Sequence, residues 1–268
     1  MKSIRLILLL TAFCLDFNSS VVQASTLYGG ALIETANFFT VDQTNGNRTA
    51  IGGVNPNGGY RDLASDWRPG SFRLWAVQGS SLVRIDPTDG SSTVIGPLPT
   101  AVGAIAFDIT TEKMFGSGIS GFYEINTATG AGTLISDQSN FPGAYPSATL
   151  GVDLNGNLFA YSFNTQTIIN IDKSTGAVQS LGSNGTSSTL ALQDLAARPE
   201  DGVMFAVAEN QFGNNRLYSV NTATGVLTPV GSDQSIQLWG LAFSPAVPEP
   251  CTAVLLAAGL IWLTLLRR

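Results

Sequence analysis

Residues 82–90 read LVRIDPTDG: an apolar run ends in Asp86, and Gly90 follows four positions later. This pattern of an apolar run, then Asp or Asn, then Gly, occurs five times along the chain. Its members are Asp42 and Gly46, Asp86 and Gly90, Asn126 and Gly130, Asp172 and Gly176, and Asn221 and Gly225. The glycines follow one another at intervals of 44, 40, 46 and 49 residues. Strand-like segments with a period of about 40 to 50 residues predict the blades of a β-propeller rather than a helical solenoid.

Two further sets of residues recur at corresponding positions of the five units, and they help to predict four strands in each unit. We call each such set a column. The innermost strand carries a large apolar residue before a small one, as expected beside a narrow central channel. These pairs are Leu63-Ala64, Ile105-Ala106, Leu150-Gly151, Leu195-Ala196 and Leu241-Ala242. The second strand carries an aromatic residue in each unit, and these residues are Tyr28, Trp75, Phe115, Phe159 and Phe205. Aromatic side chains bury large areas, so this column is expected to fill the space between blades.

The third strand ends at the Asp or Asn of the motif, whose side chain is expected to cap a turn that its Gly completes. The fourth strand is predicted at Thr49–Gly52, Thr93–Gly96, Thr133–Ser136, Gln179–Gly182 and Thr228–Gly231. Pro229 lies inside the last of these segments. Because proline is tolerated only at the edge of a sheet, the fourth strand is expected to be the outermost one.

The repeat region begins inside one repeating unit and ends with the first strand of another. The first unit begins at Leu27–Gly29, which has the pattern of a second strand, and the chain supplies an extra first strand at Leu238–Pro245. Pairing of these two segments would leave no open sheet edge. The sequence therefore predicts an all-β fold, a five-bladed β-propeller closed by its N- and C-terminal strands. A β-sandwich is the alternative, but it does not explain the five aligned columns or the split unit.

The N-terminus has the features of a secretory signal peptide. Lys2 and Arg5 precede the apolar segment Leu6–Leu15, and Val22–Ala24 offers residues that a signal peptidase accepts. We therefore predict that residues 1–24 are a signal peptide, cut after Ala24. A buried N-terminal helix is the alternative.

The C-terminus combines three features in a fixed order. Val247-Pro248-Glu249-Pro250 comes first, residues 251–266 are uncharged and largely apolar, and Arg267 and Arg268 end the chain. Residues 247–268 thus resemble the PEP-CTERM sorting domain, and a plain membrane anchor is the alternative. The resemblance implies processing by an exosortase in a bacterium that secretes exopolysaccharide. Residues 251–266 are expected to form a short transmembrane helix, with the arginines on the cytoplasmic side and residues 25–250 outside.

Composition limits the chemistry of the predicted ectodomain, residues 25–246. The chain has no histidine, and both of its cysteines, Cys14 and Cys251, lie in the terminal segments. Nucleophiles activated by histidine and zinc sites built on histidine are therefore excluded, and no cofactor is expected. The ectodomain has 9 Lys and Arg against 17 Asp and Glu. This acidic balance argues against nucleic acid as a partner.

The candidate site is at the mouth of the predicted channel. The positions before the innermost strands are Asp62, Ala104, Thr149, Asp194 and Gly240, and Trp239 lies next to them. Asp62 and Asp194 are candidates for a cation site or for an acid–base pair. The structural interpretation, which we favour, is that each carboxylate caps its strand or accepts a bond from a neighbouring backbone amide.

Two loops are also informative. Asp153–Asn157 begins like a calcium loop, but Asn164 stands where the final Glu is needed, so a hairpin turn is expected. Asp137–Ser147 is the longest candidate binding loop.

Together these features predict an exported, non-enzymatic protein of the cell surface or of a biofilm matrix. Its expected partners are a signal peptidase, an exosortase, the membrane through residues 251–266, and exopolysaccharide or other surface components. Two alternatives remain. One is a secreted hydrolase or lyase that uses Asp62 and Asp194 at the channel mouth, and the other is a ligand-sensing module.

Overall fold

The computed structural model describes residues 22–32, 36–68, 70–137, 149–163, 165–183, 190–210 and 212–248. Most of the predicted signal peptide, residues 249–268 with the predicted membrane helix, and the loop at residues 138–148 lie outside these ranges. The described residues contain strands and turns but no helix. Accordingly, this part of the chain offers no helical segment long and apolar enough to cross a membrane.

The chain divides into two compact units. One is Ser25–Pro245, and the other combines Met1–Ala24 with Ala246–Arg268. Within the second unit, β1 (Val22–Gln23) pairs antiparallel with β22 (Val247–Pro248).

The unit Ser25–Pro245 consists of five antiparallel sheets, each with four strands, and each sheet is one blade. Blade 1 contains, from the axis outward, β21 (Gly240–Phe243), β2 (Leu27–Gly30), β3 (Phe38–Val41) and β4 (Arg48–Ala50). Blade 2 contains β5 (Asp62–Asp66), β6 (Arg73–Gln78), β7 (Ser81–Ile85) and β8 (Ser92–Pro97). Blade 3 contains β9 (Val102–Asp108), β10 (Lys113–Gly118), β11 (Gly121–Ile125) and β12 (Gly132–Ser136).

Blade 4 contains β13 (Leu150–Val152), β14 (Leu158–Ser162), β15 (Thr167–Ile171) and β16 (Val178–Ser183). Blade 5 contains β17 (Ala191–Ala197), β18 (Met204–Glu209), β19 (Asn215–Val220) and β20 (Leu227–Gln234). The first strands of successive blades contact one another in a complete cycle, β21 to β5, β9, β13, β17 and back to β21. The predicted five-bladed propeller is therefore confirmed, and Pro229 lies in an outermost strand as expected.

The ring closes through the two ends of this unit, as predicted. β2 pairs with β21, with Leu27 opposite Phe243 and Gly30 opposite Gly240. The extra first strand is shorter than the predicted Leu238–Pro245, because its flanks make other bonds. Leu238 is buried beside blade 5, where its carbonyl accepts a bond from the Asn215 side chain.

The aromatic column packs between blades. Trp75, Phe115, Phe159 and Phe205 are 3–4% exposed. Each lies in a cluster that includes apolar residues of the following blade. Tyr28 is only half-buried and stacks on Phe38, with ring centroids 5.1 Å apart. The column thus contributes to the core through which neighbouring blades adhere.

The five Asp/Asn and Gly motifs form turns between the third and fourth strands. In every turn the Gly N–H donates to the carbonyl of the Asp or Asn, and the side-chain Oδ1 accepts the N–H two residues on. The glycines have φ between 71° and 76°, a conformation that favours glycine. Gly90 also lies against blade 1, since a Cβ built on it would be 3.0 Å from the Ile51 carbonyl oxygen.

This geometry gives a test of how the blades are held together. We expect Gly90→Ala to lower the free energy of unfolding by about 2 kcal/mol or more, because backbone strain adds to a clash with blade 1. Gly79→Ala is the matched control, since Gly79 also has positive φ but nothing lies within 4 Å of its Cβ position. Urea denaturation measures both, and equal losses would show that the contact with blade 1 contributes nothing.

Candidate functional site

The five predicted positions of the channel mouth meet near the axis of the ring. Asp62 and Gly240 begin their strands, Thr149 immediately precedes β13, and Ala104 and Asp194 lie inside β9 and β17. The expectation that all five precede a strand was therefore wrong for four of them. In β9 and β17 the pairing with the second strand continues past a bulge, so these strands begin earlier. All five residues are buried.

Asp62 is fully buried and ties blade 2 to blade 3. Its Oδ1 accepts the N–H of Leu63 at 2.9 Å, within its own strand. Its Oδ2 accepts the N–H of Ile105 at 2.6 Å, from the innermost strand of the next blade. Both oxygens of this carboxyl group therefore have backbone partners.

Asp194 makes the corresponding contacts between blade 5 and blade 1. Its Oδ1 accepts the N–H of Leu195 at 2.7 Å, and its Oδ2 accepts the N–H of Leu241 at 2.6 Å. The N–H of Leu63 in blade 2 contributes a further hydrogen bond. Asp194 of blade 5 thus accepts hydrogen bonds from the backbone of blade 1 and from the backbone of blade 2.

The two carboxyl groups also contact one another, although blade 1 lies between their blades in the ring. Asp62 and Asp194 share a side-chain hydrogen bond. The repeat pattern alone does not predict this contact, because it assigns the two residues to blades that are not neighbours in the ring. A hydrogen bond between two carboxyl groups requires a proton, so the pair cannot be doubly ionised while it persists.

Burial accounts for the protonation of this pair. It raises the pKa of Asp62 well above the usual range, and the charge of Asp194 raises it further. Burial also raises the pKa of Asp194 to about 8, against the opposing effect of the bonds from Asp62 and the backbone N–H groups. At neutral pH the pair therefore holds a proton in the middle of the protein.

This arrangement suits a structural clamp that joins neighbouring blades rather than a catalytic acid–base pair. Neither carboxyl group has exposed surface, and each already accepts two or more backbone N–H bonds. Paired glycosidase carboxylates are separated by at least about 5 Å to admit substrate, whereas these two hydrogen-bond one another. Among the described residues no three acidic or thiol side chains cluster in a way that would hold a metal ion. The interpretation of the two aspartates as partners of neighbouring backbone amides is the one that this geometry supports.

The central channel is narrow beyond the pair. A cavity of about 40 Å³ is lined by the large and small residues of all five innermost strands. This volume holds only a few water molecules. Trp67 is among the residues that line it. Trp239, which was expected near the mouth, is half-buried, and its backbone N–H donates to the Gly30 carbonyl.

A second surface lies on the face of the ring where the innermost strands begin. We call it the blade 5 patch, and it consists of Glu209, Asn210, Phe212, Gly213 and Gln237. Phe212 is 77% exposed. The Asn210 side chain accepts the N–H of Phe212, and Gln237 Nε2 donates to Glu209 and to the Gly213 carbonyl. The patch thus presents an exposed aromatic ring on a loop that is held by several hydrogen bonds.

Sequence reasoning did not find the blade 5 patch. It selected Asp137–Ser147 for its length, and residues 138–148 of that loop lie outside the described part of the chain. A phenylalanine within the polar run Asn210–Asn215 was the available signal. By contrast, Asp153–Asn157 is the hairpin turn that was expected, since Asp153 Oδ1 accepts the N–H groups of Asn155 and Asn157.

Comparison with known proteins supports the fold. No known protein family and no curated protein sequence matches the chain. Among solved structures, one from a crystal structure of a nidogen/laminin complex is 12% identical with a TM-score of 0.53, covering 83% of this chain and 99% of that one. The extracellular domain of BT4673 from B. thetaiotaomicron is 15% identical with a TM-score of 0.46, covering 79% of this chain and 30% of that one. At 12% identity the likeness to the first of these structures concerns the fold alone.

The clamp interpretation predicts a large loss of stability when one carboxyl group is removed. We expect Asp62→Ala to lower the free energy of unfolding by about 3 kcal/mol, because buried N–H groups of Leu63 and Ile105 lose their acceptor. Glu124→Gln serves as the control, since its surface ion pair with Lys113 contributes less than about 1 kcal/mol. Denaturant unfolding decides the matter: a loss below about 1 kcal/mol for Asp62→Ala would contradict the clamp.

The same pair predicts an unusual pH dependence. Because the pKa values of Asp62 and Asp194 are raised in the fold, their contribution to stability decreases as pH rises from about 4, where they ionise in the unfolded chain, towards 8. Burial alone would raise the pKa of Asp108, but hydrogen bonds from Lys173 and other neighbours lower it, so its contribution is lost only as pH falls below about 4. Stability should therefore be greatest in mild acid.

Thermal unfolding between pH 3 and pH 9 tests this expectation. In the double variant Asp62→Asn, Asp194→Asn, the decline above pH 5 should be smaller, because the two carboxyl groups with raised pKa values have been removed. Asp233→Asn is the control, since that carboxylate is exposed and should leave the slope unchanged. An equal decline in all three proteins would contradict the assignment.

Proposed function

We propose that this chain is an exported, non-enzymatic binding protein that presents one face of a closed propeller to an extracellular partner. The observation that carries this proposal is the burial of the two carboxyl groups at the axis of the ring. The carboxyl groups closest to a catalytic arrangement, Asp62 and Asp194, are enclosed and bonded to backbone N–H groups. The blade 5 patch, in contrast, offers an exposed aromatic ring.

The chemistry of the patch favours a neutral ligand that is rich in hydroxyl groups. Phe212 supplies a flat apolar surface, and Asn210, Gln237 and Glu209 supply amide and carboxylate groups beside it. Such a mixture suits the apolar faces and hydroxyl groups of sugar rings. The acidic ectodomain disfavours strongly anionic polymers. We therefore propose a neutral segment of exopolysaccharide as the ligand.

Export and sorting are part of the same proposal. A signal peptidase would cut after Ala24, and an exosortase would recognise Val247–Pro250, the membrane helix at residues 251–266, and Arg267 and Arg268. The features of the two ends support this route to the cell surface or the extracellular matrix of a biofilm.

Binding is tested with exopolysaccharide purified from the native host. We expect Phe212→Ser to weaken binding about five- to ten-fold, the loss typical of one aromatic contact. Leu134→Ser is the matched control, because Leu134 is 53% exposed but lies on the outermost strand β12. Isothermal titration calorimetry compares them, and equal affinity in both variants would remove the blade 5 patch from the proposal.

Sorting is tested by fractionating the native host with and without its exosortase, and by determining the ends of the recovered chain by mass spectrometry. We expect the wild-type host to release a chain that lacks Arg267 and Arg268. A chain that keeps Arg268 in the wild-type host would refute processing of the tail.

If Asp62→Asn abolished a glycan-cleaving activity of the purified protein without unfolding it, the non-enzymatic role would be refuted.

A further inference from the structure

The backbone nitrogen of Ser25 lies in an unusual position for the first residue of a compact unit. It donates a hydrogen bond to Glu200 Oε1, and the Ser25 hydroxyl donates to Glu200 Oε2 at 2.8 Å. Ser25 is only 3% exposed, although the preceding Ala24 is exposed. Both oxygens of one carboxylate are therefore directed at the residue that follows the predicted cleavage site.

The surroundings of Ser25 hold it between blades 5 and 1. Its carbonyl accepts a bond from Gln43 Nε2 at 2.6 Å, and Gln43 Oε1 accepts a bond from Arg198 at 3.1 Å. Arg198 in turn is paired with Asp201 and lies over the ring of Phe205. Arg198 therefore makes its hydrogen bonds to Gln43 and Asp201, and it interacts with Glu200 through charge alone. The two oxygens of Glu200 accept the hydrogen bonds from Ser25.

We propose that Glu200 is the binding site for the α-ammonium group that cleavage after Ala24 creates on Ser25. In the uncut chain the contact is a neutral amide donating to a carboxylate. Hydrolysis of the Ala24–Ser25 peptide bond consumes one water, places a carboxylate on Ala24 and leaves an amine on Ser25 that is protonated at neutral pH. The same atoms then form a charge-assisted pair, which is the stronger kind of hydrogen bond.

The pair would lock the closing blade in the mature protein. Ser25 is followed directly by Thr26, whose N–H and carbonyl bond to Ser244, and then by β2. The ammonium pair with Glu200 in blade 5 would therefore fasten the strand that completes blade 1 to its neighbour. Because Ser25 is buried in the closed ring, cleavage has to precede closure, and this inference rests on the signal peptide of the proposed function.

The test uses the chain recovered after export from a Gram-negative host. Sequencing first establishes whether it begins at Ser25. An amine-reactive acylating reagent then compares the terminal amine with Lys113, which is 48% exposed and provides an internal reference. Since only Lys113 and Lys173 carry other amines after residue 24, the products are easily resolved by mass spectrometry.

We expect the terminal amine of the folded protein to react at least about ten-fold more slowly, relative to Lys113, than that of the urea-unfolded chain. Glu200→Gln should increase its reactivity several-fold. Glu112→Gln is the matched control, since this exposed carboxylate pairs with Arg68 in another part of the ring and should leave the rate unchanged.

A second measurement distinguishes a charge pair from a general structural effect. Glu200→Gln should lower the unfolding midpoint more in the cleaved chain than in the uncut chain, because only the cleaved chain carries the ammonium group. A chain that begins at Ser25 but shows equal reactivity and equal midpoint shifts would overturn this inference and leave export intact. A chain that begins elsewhere would refute the cleavage site, and this inference with it, while the Phe212 binding test stands apart.

Discussion

The pairing of β2 with β21 is the constraint on which the rest of the ring depends. Leu27–Gly30 and Gly240–Phe243 come from opposite ends of the compact unit, and together they make one blade. Without that pairing, blades 5 and 2 would each face an incomplete sheet, and unpaired strand edges invite aggregation. Closure also brings the innermost strands of blades 5, 1 and 2 close enough for their axial side chains to meet.

The axial aspartates reinforce this closure from inside. Asp194 accepts N–H bonds from β21 and β5, and Asp62 reaches onward to β9. A buried carboxyl pair is costly unless it is hydrogen-bonded and keeps a proton, and both conditions hold here. Raised pKa values often indicate catalysis, but the burial that raises them here also leaves neither carboxyl group any exposed surface.

Contacts on the opposite face extend the closure outward. Lys173 of blade 4 pairs with the buried Asp108 of blade 3, and Arg68 of blade 2 pairs with Glu112 of blade 3. Between blades 5 and 1, the corresponding contact is made by Glu200 with Ser25. The junction that joins the chain ends is thus held by the backbone of the incoming N-terminal segment itself.

The sequence by itself determined the blade count, the strand order and the exchange of strands between the ends. It did so because the same local packing is needed in every blade. A turn like that at Asp86–Gly90 and an aromatic residue like Trp75 therefore occur at corresponding places in each of the five units. Only the tertiary structure decided that Asp62 meets Asp194, that Glu200 receives Ser25 and that Phe212 is exposed. These features depend on β-bulges and on the curvature of the ring, which bring together residues far apart in the chain. They do not appear as a repeat in the sequence.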